Sequence, residues 1–104
     1  MGKGVTTDLW TWGGTYFGRR EGDDLWTHDG RHVGRFSGDE VYAPNGHYLG
    51  ELRSNKLITR QSKSSQRRGS FAAQGSRVGH VPYADHVGRV MLLGYEDFPA
   101  PGAL

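Results

Sequence analysis

The chain of 104 residues has no cysteine, only four prolines and no apolar run that approaches the length of a membrane span. Without cysteine, neither a disulfide framework nor a thiolate metal site can form. Without a membrane-length run or a charged leader, we expect a soluble, cytoplasmic protein with no membrane partner. No window keeps apolar residues at helical spacing, which argues against a helical bundle.

Glycine is the abundant residue, with 17 copies, while hydrophobic residues make up only 35% of the chain. This mixture is typical of short strands joined by tight turns. The length predicts a single domain over residues 1–104 with one modest core.

A sixteen-residue repeat organises the first half of the chain. The units are "LWTWGGTYFGRREGDD" (9–24), "LWTHDGRHVGRFSGDE" (25–40) and "VYAPNGHYLGELRSNK" (41–56), and a fourth unit begins at Leu57. No insertion is needed across three units. Repeats of this kind indicate a supersecondary unit that is copied and packed against its neighbours.

Each unit predicts a β-hairpin. In "APNG", Pro44 suits a type I turn and Gly46 tolerates a positive φ, and such turns usually lead into a glycine bulge. The pairing would set aliphatic residues such as Val41 and Leu49 on one face. The other face would carry aromatic side chains, namely Trp10, Tyr16, Trp26, His32, Tyr42 and Tyr48.

A second turn closes each unit, and its length stays open at this point. Three loop residues would set Gly18 opposite Trp26, whereas two would set Arg19 against Asp24.

The fourth unit breaks after Arg60. Because "HVGRV" at 86–90 repeats "HVGRF" at 32–36, we expect residues 57–60 and 86–91 to form one interrupted hairpin around a long basic insertion, 61–82. Ring closure would then bring Arg89 near Asp8. Closure would also hide sheet edges that invite aggregation. The end of the chain, residues 99–104, reads "PAPGAL" and predicts a flexible tail.

The predicted fold is therefore all-β, with four consecutive hairpins in pseudo-fourfold arrangement and a long basic loop in the fourth. The run from Thr15 to Arg60, with "DGRHVGRFSGDEVY" and "NGHYLGEL", resembles the four-fold beta-flower family, small domains of four related hairpins. The resemblance implies this fold and no established activity.

Charge is unevenly placed along the chain. Residues 52–84 hold seven basic residues and no acid, which leaves six basic residues against 11 acids elsewhere. A cationic loop with one aromatic residue suits contacts with phosphates and bases, although a solvated loop would have the same composition. The candidate polyanion-binding residues are Arg60, Lys63, Arg67, Arg68, Phe71 and Arg77.

The aromatic face is the second candidate site. If exposed, it could stack on sugar rings or clasp a peptide. Such a stripe is more often a second core layer or a contact between subunits, and the sequence does not decide between them.

Catalytic and metal motifs are weak. His28 and His32 flank one turn but lack the further ligands that a metal needs. Adjacent acids such as Asp23 and Asp24 lie at turns, where carboxylates are usually solvated, so a hydrolase is only the third hypothesis.

We expect no cofactor. The leading hypothesis is a non-enzymatic structural or interaction module with a protein partner or self-association, and nucleic-acid binding is the alternative.

Overall fold

The computed structural model describes residues 6–104, and within them the only helical segments are two single 3-10 turns, Gln61–Lys63 and Pro101–Ala103. No helix in this part of the chain is long and apolar enough to cross a bilayer. The prediction of an all-β fold built from consecutive hairpins is confirmed. The strands are β1 (Thr6–Thr11), β2 (Tyr16–Glu21), β3 (Asp24–Thr27), β4 (His32–Ser37), β5 (Glu40–Tyr42), β6 (Tyr48–Arg53), β7 (Lys56–Arg60) and β8 (Tyr95–Asp97).

The strands form an antiparallel meander that closes on itself. Each strand pairs with the next, and β1 also pairs with β7 in parallel, with Thr11 opposite Leu57. The first seven strands therefore make a barrel. The far half of the same β7 edge pairs with the three residues of β8. Closure removes the two open edges that a meander would otherwise leave unpaired.

A bulge recurs in three hairpins. Trp10 lies opposite Tyr16 while Leu9 lies opposite Gly18, so one extra residue is accommodated between the two pairs. The same shift separates Val41 from Tyr42. The predicted aromatic pairs are confirmed, but the aliphatic pairs are wrong by one residue, because the bulge puts glycine opposite each aliphatic residue.

The second turn of each unit has two residues. In the first, Glu21 pairs with Asp24 across Gly22, whose φ is +59°. In the third, Ser54 and Asn55 both have positive φ, as a type I′ turn requires. The register sets Arg19 opposite Trp26, a pairing that neither of the two sequence-based alternatives gave.

The core fills the barrel with the aliphatic and phenyl side chains of the repeat. Leu9, Leu25, Val41 and Leu57, the first residues of the four units, are at most 1% exposed. Bulged residues such as Phe17 point into the same interior. The remaining members of the core cluster are Val33, Phe36 and Phe98.

The predicted fourth hairpin needs correction. Its second strand is Tyr95–Asp97, not residues 86–91, and the excursion from β7 runs over residues 61–94 rather than 61–82. The sequence "HVGRV" at 86–90 resembles "RVGHV" at 77–81, nine residues earlier, and both segments lie on the excursion. Accordingly Arg89 contacts Trp12, to whose carbonyl its N–H donates at 3.1 Å, and not Asp8.

The expectation of a flexible tail is also wrong. Phe98 and Pro101 are buried, and the guanidinium of Arg31 donates to the carbonyls of Pro101 (2.7 Å) and Leu104. Apolar burial and these charge-assisted bonds hold the end of the chain against the barrel.

A candidate interaction site on the strap

The outer face of the barrel carries the three aromatic pairs predicted from the repeat. Trp10 and Tyr16 have ring centroids 5.1 Å apart, and Tyr42 and Tyr48 lie 5.9 Å apart. The remaining pair is Trp26 with His32. Five of the six residues are buried and Trp10 is half-buried. This face is therefore a second packed layer, not an open binding surface.

Carboxylates line the same face. The hydroxyl of Tyr16 donates to Asp8 at 2.8 Å, and that of Tyr42 donates to Glu40 at 2.8 Å. His32 Nε2 lies 3.0 Å from Asp24 Oδ1. The three acids occupy one repeat position, sixteen residues apart. Burial, together with the neighbouring Asp8, raises the pKa of Tyr16 to about 12, so this phenol stays a donor at neutral pH.

The layer that covers this face is the strap, residues 66–92 of the excursion. Its backbone touches each hairpin tip in turn: the N–H of Arg68 donates to Gly46 O (2.9 Å), that of Arg77 to Gly30 O (2.7 Å), and that of His86 to Gly14 O (2.8 Å). The donors are nine residues apart and the acceptors sixteen. The strap thus visits the hairpins in reverse order and advances one unit per nine residues.

A second set of bonds follows each of these by three residues. The N–H groups of Phe71, His80 and Arg89 donate to the carbonyls of Pro44, His28 and Trp12, at 2.8, 2.9 and 3.1 Å. Contacts every third residue, without a ladder, have the spacing of a polyproline II strand, which has three residues per turn.

The side chains at these positions stack on the aromatic face. Every third residue of the strap belongs to this contact series. The guanidinium of Arg77 lies 3.7 Å from the ring centre of Trp26, and His86 stacks on Trp10 at 3.8 Å. The full contact series is Arg68, Phe71, Gln74, Arg77, His80, Tyr83, His86 and Arg89. Cation–π and aromatic contacts therefore join the two layers.

Glycine is required where the strap crosses the tips. Gly30 has φ +89°, and a Cβ there would lie 2.0 Å from Arg77 O. Gly14 and Gly46 show the same positive φ and the same approach by a strap carbonyl. One residue type therefore meets two demands, the turn conformation and the close passage of a second chain segment.

The predicted polyanion-binding residues lie on or next to the strap, but acids of the barrel engage three of them. Arg60 Nη2 lies 3.2 Å from Glu51, Lys63 contacts Glu40, and Arg77 Nη1 lies 2.6 Å from Glu21. Phe71 packs on His32. Basic residues of the excursion thus pair with individual acids on the surface of the barrel.

The Lys63–Glu40 contact shifts both groups toward their charged forms. The Lys63 hydrogen bond, and then that of Tyr42, lowers the pKa of Glu40. The hydrogen bond to Glu40 raises the pKa of Lys63. These partly exposed groups tether the start of the excursion to the barrel.

Two arginines differ from these. Arg67 lies 2.7 Å from the imidazole of His47, and Arg68 lies over the ring of Tyr42. Neither forms an ion pair with a carboxylate among residues 6–104.

The histidines and acids considered for chemistry have structural partners. His32 Nδ1 accepts the N–H of Gln74 at 2.9 Å, and His28 Nδ1 lies 3.3 Å from His80 O. Asp23 pairs with Arg20. Over the described residues, no three His, Asp or Glu side chains converge as metal ligands would.

One cleft of about 360 Å³ lies between the strap and the end of the chain, and Leu104, Ala73 and Pro44 are among its lining residues.

The sequence reasoning missed the outermost feature of the strap. Val78, Val81, Val87 and Val90 are 96%, 82%, 92% and 90% exposed, and Leu93 just beyond the strap is fully exposed. The four valines each come one position after a member of the contact series, namely after Arg77, His80, His86 and Arg89. The sequence did contain a pattern that could have predicted them, because "VGHV" at 78–81 is repeated nine residues later as "VGRV" at 87–90. We call Val78, Val81, Ala84, Val87, Val90 and Leu93 the outward series.

No family model, curated protein or solved structure matches this chain. The resemblance to the four-fold beta-flower family therefore stays a prediction that depends on the repeat itself.

Proposed function

We propose that the protein is a non-enzymatic structural and interaction module, in which a barrel presents the strap to a protein partner. The observation that carries this proposal is the exposure of Val78, Val81, Val87 and Val90, each at least 82% exposed. Single exposed apolar residues are ordinary, but a contiguous set usually indicates a surface that is covered in use.

The support beneath the outward series favours the same function. Arg77 and His86, which precede Val78 and Val87, each donate a backbone hydrogen bond to a hairpin tip. Each also stacks on a tryptophan. A surface fixed in this way loses little conformational entropy on binding, because its backbone is already ordered.

The test is an affinity capture from native extract with two purified chains. One carries serine in place of Val78, Val81, Val87 and Val90, and the matched control carries alanine in place of the exposed strap residues Ser70 and Ser76. We expect the control to retain a partner that the serine variant loses, with equal melting temperatures. Identical capture by both chains would contradict the proposal.

A cytoplasmic location belongs to the same proposal and is tested by cell fractionation.

Polyanion binding is a second candidate, because Arg67 and Arg68 lie together, exposed, and without a carboxylate partner in the part of the chain that the structure describes. Neutralised phosphates release counterions, so the binding affinity should fall as the salt concentration rises, and more steeply for each phosphate that the two arginines contact. Replacing both with alanine should flatten that salt dependence, measured with a single-stranded oligonucleotide. An unchanged slope, or no binding at low salt, would remove this candidate.

A further inference from the structure

We propose that the partner of the outward series is a second copy of this chain, bound about a two-fold axis that passes near Ala84. This inference rests on the proposed function and names its partner. It begins from the placement of the exposed aliphatic residues along the strap.

The outward series is symmetric about Ala84. Val81 and Val87 lie three residues to either side of it, and Val78 and Val90 lie six to either side. Two straps that run antiparallel would therefore set Val81 against Val87 and Val78 against Val90 of the second copy. A two-fold interface requires such a self-complementary patch, since residue i meets j and j meets i.

The residue at the centre is small. Ala84 is exposed, and its carbonyl accepts the indole N–H of Trp10 at 2.9 Å, which fixes the middle of the series on the barrel. Because alanine projects little beyond its backbone, two straps can approach closely at this point while the valines on either side interdigitate.

The exposed area suits a pair of copies. A fully buried valine or leucine side chain hides roughly 60–120 Å² of apolar surface, so the five exposed members offer roughly 300–600 Å². A standard interface covers about 800 Å² per partner, and homodimer interfaces are about 65% apolar. The two estimates agree.

Charge favours an apolar partner over a polyelectrolyte. Between residues 78 and 93 the only Asp, Glu, Lys or Arg side chains are Asp85 and Arg89. Asp85 accepts the N–H of Tyr16 at 3.0 Å, and Arg89 stacks on Trp12. Both charges are turned to the barrel, so this stretch offers a charged partner little to bind.

Sedimentation velocity of the full chain is the first test. We expect a dimer at micromolar concentration, and a more than tenfold weaker association when Val81 and Val87 are both replaced by aspartate. Ser65→Asp combined with Ser70→Asp is the matched control, since both serines are exposed but lie outside the outward series. It should change the dissociation constant by less than about threefold. A wild-type chain that stays monomeric, or a dimer indifferent to the Val81 and Val87 changes, would overturn the proposal.

Cross-linking locates the axis. Because the chain has no cysteine, Ala84→Cys gives one thiol, and a disulfide needs two Cα atoms within about 7 Å. We expect mild oxidation to link the Ala84→Cys chains much faster than the Leu93→Cys chains. Equal rates would overturn an axis at Ala84. If the chain is monomeric yet the affinity capture succeeds, the interaction module stands and only the choice of a second copy fails.

Discussion

In the barrel, each sixteen-residue unit pairs its backbone with neighbouring strands in continuous ladders. Over residues 6–104, the strap takes part in no ladder and forms one isolated bridge, between His47 and Arg67. It donates backbone N–H groups to the hairpin tips at nine-residue intervals. The barrel buries its aliphatic side chains, whereas the strap exposes them. Two repeats of different period thus share one fold, and the difference predicts where substitutions will matter.

The largest difference in the free energy of unfolding should be between substitutions of an apolar residue in the barrel and of one in the strap. Leu25 is fully buried, and Val87 is 92% exposed. We expect Leu25→Ala to lower the free energy of unfolding by about 2–5 kcal/mol, because it leaves a cavity. Val87→Ala should change it by less than about 0.5 kcal/mol. Urea denaturation measures both, at protein concentrations low enough to keep the chain monomeric. Equal losses would mean that the strap residue is buried in solution.

The next contrast compares two glycines with positive φ. Gly22 has open space around it, whereas a Cβ at Gly30 would meet the strap carbonyl of Arg77 at 2.0 Å. Gly22→Ala should cost about 1–2 kcal/mol for the left-handed conformation alone. Gly30→Ala should cost clearly more, because the strap must move. If thermal denaturation shows equal costs, the strap does not lie on that turn.

A smaller effect is expected from the contact between the layers. Arg77→Ala removes the stack on Trp26 and the ion pair with Glu21. Because Arg77 is about half exposed, the loss should be about 1 kcal/mol. Indole fluorescence of Trp26 should change at the same time. Arg53→Ala is the control, since Arg53 lies 5.5 Å from the ring of Tyr95 and away from the strap. A fluorescence change of the same size in the control would contradict the stacking.

The smallest effect is a pH dependence at the start of the excursion. The folded state lowers the pKa of Glu40, so its contribution is present above the unfolded pKa of about 4.3 and is lost as pH falls through the folded pKa. Raising the pKa of Lys63 works in the opposite sense: its contribution is lost as pH rises through the folded value, above about 10.4.

Lys63→Met should therefore reduce the acid sensitivity of stability, by less than about 1 kcal/mol since both groups are partly exposed. Melting temperatures between about pH 3 and pH 7 test this. An unchanged pH profile in the variant would show that the pair is open in solution.

The sequence predicted the barrel because its units repeat at constant length with glycine at the tips. It failed for β8, since Tyr95–Asp97 reads "YED" and lacks the apolar residue and the glycine that follow the first residue of β2, β4 and β6. It failed for the strap for a different reason. Periods of two and 3.6 indicate strands and helices, whereas the strap repeats every three residues, and its bonds use backbone groups that every residue except proline has.

The candidate site was predictable only in part. The aromatic residues were placed on one face, but what covers them depends on Arg77 and His86 meeting tips far away in sequence. The same long-range contacts pair the basic segment with Glu21 and Glu40. Local patterns do not encode such partners.

Amide hydrogen exchange, resolved by residue, tests most directly whether the strap is bound turn by turn to the barrel. We predict slow exchange at Arg68, Arg77 and His86, and at Phe71, His80 and Arg89, with fast exchange at Val78 and Val87, next in sequence to Arg77 and His86. Protection would then recur every nine residues. Uniformly fast exchange from residue 66 to 92 would contradict the account.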